Sequence, residues 1–113
     1  MKAIGYSVFG TAKDVLKSIN IPIPTPTSGQ VLVRLIRSGV NPSDVKARAG
    51  ARPGITKPAF ETVIPHSDGS GIIEAVGDGI DPHRVGERVW VWNGQWQRAY
   101  GTAADYIALD ATQ

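Results

Sequence analysis

The stretch Val31-Leu32-Val33-Arg34-Leu35-Ile36-Arg37 leads, after Ser38, straight into Gly39-Val40-Asn41-Pro42-Ser43-Asp44. This junction constrains the fold more than any other feature of the chain. Its first half is apolar at consecutive positions near the centre, the pattern of a strand buried on both faces. Its second half is a helix start. Asn41 is a good N-cap, Pro42 brings a preset φ to the first helical position, and Asp44 stands where a capping box needs its acidic partner. Local chemistry allows two readings of this elbow: a well-capped helix start, or a cleft rim that presents Asn41 and Asp44.

The remaining segments read mostly as strands. Met1 to Val8 forms a first strand and Val15 to Ile23 a weaker second one. That second strand runs into Pro22, Pro24 and Pro26, which cannot donate to a ladder, so residues 22–30 belong to a surface loop or a sheet edge. The helix extends from Pro42 to about Arg48 and closes at Gly50, a residue suited to a left-handed cap. Residues 51–59, with Pro53, Gly54 and Pro58, read as a mobile loop. Thr62 to Pro65 is a short extended piece. Further strands are expected over 72–77, 87–92 and 103–109. They are separated by turns at Gly77-Asp78-Gly79 and Asp81-Pro82-His83 and by a polar loop over 93–101. Thirteen glycines and eight prolines in 113 residues agree with so many turns. The expectation is a single mainly β domain: six or seven strands in a small closed or partly closed barrel, with one short helix.

Several function classes fall away at this point. The net charge is only +2, and the basic residues are scattered rather than gathered on one face, which argues against nucleic acid as a partner. The start Met1-Lys2-Ala3-Ile4-Gly5-Tyr6 lacks a signal peptide's apolar core, and no run approaches the ~18 residues of a membrane span. A cytoplasmic, membrane-free chain is expected. With no cysteine, neither a disulfide framework nor a thiolate metal site is available.

Few residues suggest chemistry on their own. Gly69-Ser70-Gly71 and Gly77-Asp78-Gly79 lack the G-x-G-x-x-G spacing, and no helix pattern follows either one, so they do not form a dinucleotide loop. They fit places where a backbone bulges or two strands approach closely. Gly69-Ser70-Gly71 also lacks the frame of a nucleophile elbow. A zinc site would have to combine His66, Asp68 and a distant third ligand, and His83 reads as a solvated turn residue. Asp68, beside Ser67, suits either proton transfer or a turn cap. Trp90 and Trp92 alternate with Val89 and Val91, so their rings share one side of a strand. They serve either as core or as the wall of a flat cleft for an aromatic ligand.

Six blocks taken together go further. They are Met1-Lys2-Ala3, Gly39-Val40-Asn41-Pro42-Ser43-Asp44, Val63-Ile64-Pro65-His66-Ser67-Asp68-Gly69-Ser70-Gly71, Glu74-Ala75-Val76-Gly77, Val85-Gly86-Glu87-Arg88-Val89 and Gly101-Thr102-Ala103-Ala104-Asp105-Tyr106. In order and spacing the chain resembles the N-terminal part of the medium-chain dehydrogenase/reductase superfamily, in particular its zinc-free quinone oxidoreductase (zeta-crystallin-like) branch. The resemblance implies a GroES-like, partly open β-barrel. It also implies that zinc is absent. Asn41 stands where zinc relatives carry a Cys and Ser67 where they carry a His, while His66 falls on a neighbouring family Gly.

The activity implied is NADPH-dependent reduction of quinones, activated carbonyls or alkenes. Residues 1–113 would form the substrate-side domain, truncated before the Rossmann cofactor domain and the closing C-terminal segment, and would be inactive alone. Asn41 matches a residue near the nicotinamide and Asp44 one that supports the elbow. Ser67 and Trp92 join them as candidates for the substrate and cofactor cleft. Arg52 occupies a position where zinc-free members often carry a Tyr, and suits an acidic group or a cofactor phosphate. The resemblance further implies a full-length homodimer or homotetramer. The alternative is a stand-alone GroES-like binding or assembly module without catalysis.

Overall fold

Strand β3 (Gln30–Gly39) is the spine of the molecule, in a computed structural model that describes all 113 residues. Val31, Leu32 and Val33 are buried in succession, as a strand covered on both faces requires. Three further segments complete one antiparallel sheet: β4 (Asp68–Val76), β5 (Arg88–Val91) and β6 (Tyr106–Asp110), in the order β5-β4-β3-β6. A two-stranded sheet, β1 (Lys2–Gly5) with β2 (Lys17–Asn20), lies beside it. Bridges Ala3–Ala104 and Tyr6–Val63 tie the first strand to later segments. The fold is mainly β, as expected; its six strands fall into two sheets of two and four strands.

Helix α2 (Pro42–Ala49) ends as its sequence predicts. Gly50 takes φ +74°, and its N–H bonds the Ala47 carbonyl. A second helix was not legible: α1 (Ala12–Val15) is a single turn. It displaces the start of the second strand from Val15 to Lys17 and turns Val15 into a cluster with Tyr6 and Val63, beneath Phe9 and Leu16. Burying Val15 there contributes about 1.5–3 kcal/mol, enough to override the weak strand preference of so short a segment.

β4 begins at Asp68, earlier than the expected Ile72, and so takes in Gly69-Ser70-Gly71. The close approach of strands explains these glycines. A Cβ on Gly71 would lie 2.1 Å from the Arg34 carbonyl oxygen, and one on Gly69 would lie 2.8 Å from that of Arg37. The β3–β4 register shifts between Leu32 and Val33 and again between Leu35 and Arg37, the irregularity that extra residues and tight backbones produce.

Val31, Val33, Ile73, Val91, Ile107 and Leu109 form the main core. The tryptophans are outside it: Trp90, Trp92 and Trp96 are 73%, 61% and 61% exposed. Along β5 the valines take the inner side, with Val91 buried, and the indoles the outer. No helix is long and apolar enough to cross a membrane.

Candidate functional site

The strand–helix elbow is built as a clamp on Asn41. Gly39, at the end of β3, pairs with Asp68, at the start of β4, so the residues just beyond the two strand ends stand side by side. The Asn41 N–H donates to Asp44 Oδ2 at 2.7 Å, and its side-chain Nδ2 donates to Asp68 Oδ2, also at 2.7 Å. Both are charge-assisted bonds of the short, strong kind. One carboxylate therefore fixes the backbone of Asn41 and the other fixes its amide plane. Asp44 is buried, and the Asp44 N–H in turn bonds the Asn41 carbonyl at 3.0 Å. Asp44 thus serves the helix start, while the Asn41 amide faces across to Asp68.

A phenol lies close to the helix. Burial pushes the Tyr6 hydroxyl above its usual range, the Arg48 guanidinium opposes this, and the Asp44 carboxylate adds to it. Tyr6 therefore stays protonated at neutral pH.

A second polar cluster flanks the clamp. Ser38 Oγ lies 2.9 Å from His66 Nδ1 and 3.0 Å from Thr102 Oγ1, and the Thr102 hydroxyl donates to the Asp68 carbonyl at 2.7 Å. Thr102 is fully buried. The segment around His66 is pinned from outside: Gly101 N–H donates to Ile64 O, Thr102 N–H to His66 O, and Ala103 N–H to Pro65 O. His66 itself takes φ +79°, in the left-handed region that glycine enters freely and histidine rarely.

The candidate residues divide into two groups. Asn41 and Asp44 are brought together. Ser67 is half-buried between His66 and Asp68, and its carbonyl accepts Gly94 N–H at 2.8 Å. Arg52 lies exposed in the loop after α2, and its side chain makes no hydrogen bond or ion pair. Trp92 is at the same end of the sheet, one residue past the Val91 that pairs with Gly69. Its ring lines a cavity of about 480 Å³ with Trp90, Arg84 and Gln113, which includes none of Asn41, Asp44, Arg52 or Ser67. No three His, Cys, Asp or Glu side chains stand close enough together to share a metal ion. Sequence reasoning weighed Asp68 for proton transfer and His66 for zinc without placing either beside Asn41, and it missed Ser38 and Thr102. The hydroxyls carry no local signal, because their partners lie 28 and 64 residues away in the chain.

Residues 27–113 match the model of the alcohol dehydrogenase GroES-like domain. The chain belongs to this family. Among curated relatives, quinone oxidoreductase from Rattus norvegicus is 37% identical over 93 residues, covering 82% of this chain and 27% of its own length. A mycobacterial structure complexed with NADPH superposes with a TM-score of 0.80 at 27% identity, over 99% of this chain and 32% of that one. A cobalt- and zinc-bound thermostable alcohol dehydrogenase from Pyrobaculum aerophilum does so with a TM-score of 0.81 at 26% identity, over 100% and 40%. Within this GroES-like family the chain thus resembles both quinone reductases and metal-bearing dehydrogenases. It spans about a quarter of the length of the curated relative it matches.

Proposed function

We propose that residues 1–113 form the substrate-side domain of an NADPH-dependent quinone oxidoreductase-type enzyme. It reduces quinones, or activated carbonyls and alkenes, without zinc. The observation that carries this reading is the Asn41 amide, held by Asp44 on one side and Asp68 on the other. An amide carries two N–H donors. With one given to Asp68, the second is oriented and free to bind a carbonyl oxygen. A neutral donor of this kind fits a nicotinamide carboxamide or a quinone oxygen and would make a poor zinc ligand.

Bound nicotinamide supplies the hydride. This domain's share is to hold the acceptor carbonyl, polarise it through Asn41 and keep the elbow rigid. The nucleotide site itself belongs to a Rossmann domain outside these residues, so the isolated chain turns over nothing. Arg52, whose exposed side chain makes no hydrogen bond or ion pair, would meet an acidic group or a cofactor phosphate. The full-length protein acts in the cytoplasm as a homodimer or homotetramer.

The test is NADPH oxidation by the full-length protein with small quinones and enones, beside Asn41→Ala. A loss of about 10²–10³ in kcat is expected for the variant, the scale of removing one preorganised donor. A full-length protein inert towards every acceptor overturns the assignment, and an unimpaired Asn41→Ala removes Asn41 from the site. Stoichiometric zinc after purification overturns the metal-free reading.

A further inference from the structure

The geometry points to His66 as the proton donor of this site, a deepening that rests on the oxidoreductase reading above. Counting hydrogens fixes the direction of each bond in the cluster. The Asp68 carbonyl can only accept, so the single hydroxyl hydrogen of Thr102 is committed to it at 2.7 Å. Thr102 Oγ1 must then accept from Ser38 at 3.0 Å, which uses the only hydrogen of Ser38. Ser38 Oγ, 2.9 Å from the ring, has no hydrogen left to give and must accept from His66 Nδ1–H. The chain of bonds has one direction, and it holds His66 with its proton on Nδ1.

Protonation and release are thereby confined to Nε2, which no side chain of this chain occupies. The ring gains or loses a proton there without any hydroxyl turning, since the Nδ1–H bond survives in both states. The backbone supplies a second, independent observation. A left-handed φ of +79° at a non-glycine residue is a strained conformation that the surrounding structure must hold in place. It persists because the Thr102 and Ala103 amides grip the carbonyls of His66 and Pro65 at 2.8 and 3.1 Å. Hydrogen bonds link the ring to the clamp: through Ser38 it reaches Thr102, which bonds the carbonyl of the same Asp68 whose carboxylate holds Asn41.

Asp68 faces Asn41, and Asp44 holds the Asn41 N–H. Arg37, next to Ser38, turns to the Ile36 carbonyl. Arg98, in the loop before Thr102, is engaged by Ala108 O and Gln113 Oε1.

Reduction of a quinone or enone adds two electrons and one hydrogen as hydride, taken from a nicotinamide donor that is oxidised to its pyridinium form. The Nε2–H bond of the His66 imidazolium breaks, an O–H bond forms on the substrate oxyanion, and the neutral imidazole regains its proton from water. Asn41 stabilises the oxyanion and His66 discharges it.

Two readouts test this in the full-length protein. Nitrogen-15 NMR of labelled histidine should show the neutral His66 ring carrying its proton on Nδ1, and Ser38→Ala should release this preference. His66→Asn keeps a residue that tolerates the left-handed backbone but cannot titrate. Its kcat should drop about 100-fold or more, the scale of general acid catalysis. The KM for the nicotinamide donor should stay within about twofold, and the decline of kcat with rising pH should disappear. An Nε2–H tautomer in the native protein overturns the proposal. So does a His66→Asn enzyme that keeps both kcat and pH profile while the native enzyme is active. A native enzyme inert to all quinones and enones overturns the underlying oxidoreductase reading instead, while the tautomer still decides the hydroxyl chain.

Discussion

Gly71→Ala should be among the most damaging single-methyl changes available to this chain. The added Cβ would sit 2.1 Å from the Arg34 oxygen, 2.9 Å from the Arg34 carbonyl carbon and 2.9 Å from Val33 Cγ1. The closest of these is over an ångström short of ordinary contact. The obstacle is also backbone, in a strand that pairs with β4 on one side and β6 on the other. Overpacking costs about 1–3 kcal/mol where side chains can shift. Here relief requires β3 and β4 to part, so about 3 kcal/mol or more is expected, a large share of the roughly 5–15 kcal/mol that holds a domain together.

Gly79→Ala is the control. Its Cβ meets nothing within 4 Å, and only its φ of +85° resists substitution, at about 1–2 kcal/mol. Urea and thermal unfolding followed by circular dichroism should place Gly71→Ala at least about 10 °C below the native Tm and clearly below Gly79→Ala. If Gly71→Ala equals or exceeds Gly79→Ala in stability, the close-approach explanation of Gly69-Ser70-Gly71 is wrong. A role for these glycines in holding a ligand would then regain its force.

Other perturbations probe the site and its surroundings. Asp44→Ala removes the acceptor of the Asn41 N–H and should cost about 1–2 kcal/mol, read as a lowered denaturation midpoint at neutral pH. Tyr6 has a raised folded pKa, so its neutral form is favoured by folding. That stability is intact below the unfolded value of about 10 and is lost as pH climbs through the higher folded value. Tyr6→Phe should flatten this alkaline decline in a pH series of unfolding curves; an unchanged decline would assign it elsewhere. All three tryptophans are mostly exposed, so acrylamide should quench the emission of the chain readily. A strongly protected indole would contradict the outward face of β5.

Periodicity and capping chemistry made parts of the fold legible and left others hidden. β3 declared itself because Val31, Leu32 and Val33 are buried without alternation. The limits of α2 followed from Asn41, Pro42 and Gly50, each of which acts on its own backbone. The first half of β4 was hidden because glycine and serine favour turns when taken alone. Only the carbonyls of Arg34 and Arg37, far away in sequence, require them there. Alternation put Trp90 and Trp92 on one side of β5, but the side was decided by which residues the core could take, and it took Val91. Within the site, the bond from Asp44 to Asn41 spans three residues and could be read from the sequence. The bond from Asn41 to Asp68 spans 27 residues, and only the finished β3–β4 register creates it.

The pairing of the chain's first residues with some of its last has a consequence for synthesis. Lys2 N–H bonds Asp105 Oδ2, Ile4 N–H bonds the Ala103 carbonyl, and Ala3 bridges Ala104. β6 likewise pairs with β3 from 72 to 80 positions downstream. At about 5–20 residues per second on the ribosome, the N-terminal strand waits on the order of 5–20 s for these partners to be made. During that interval β1 and one edge of β3 expose unpaired backbone and apolar side chains, the surface on which nascent chains aggregate. Chaperone dependence should therefore be greatest before residue 110 emerges and should fall once it has, which ribosome-arrested chains of graded length would reveal.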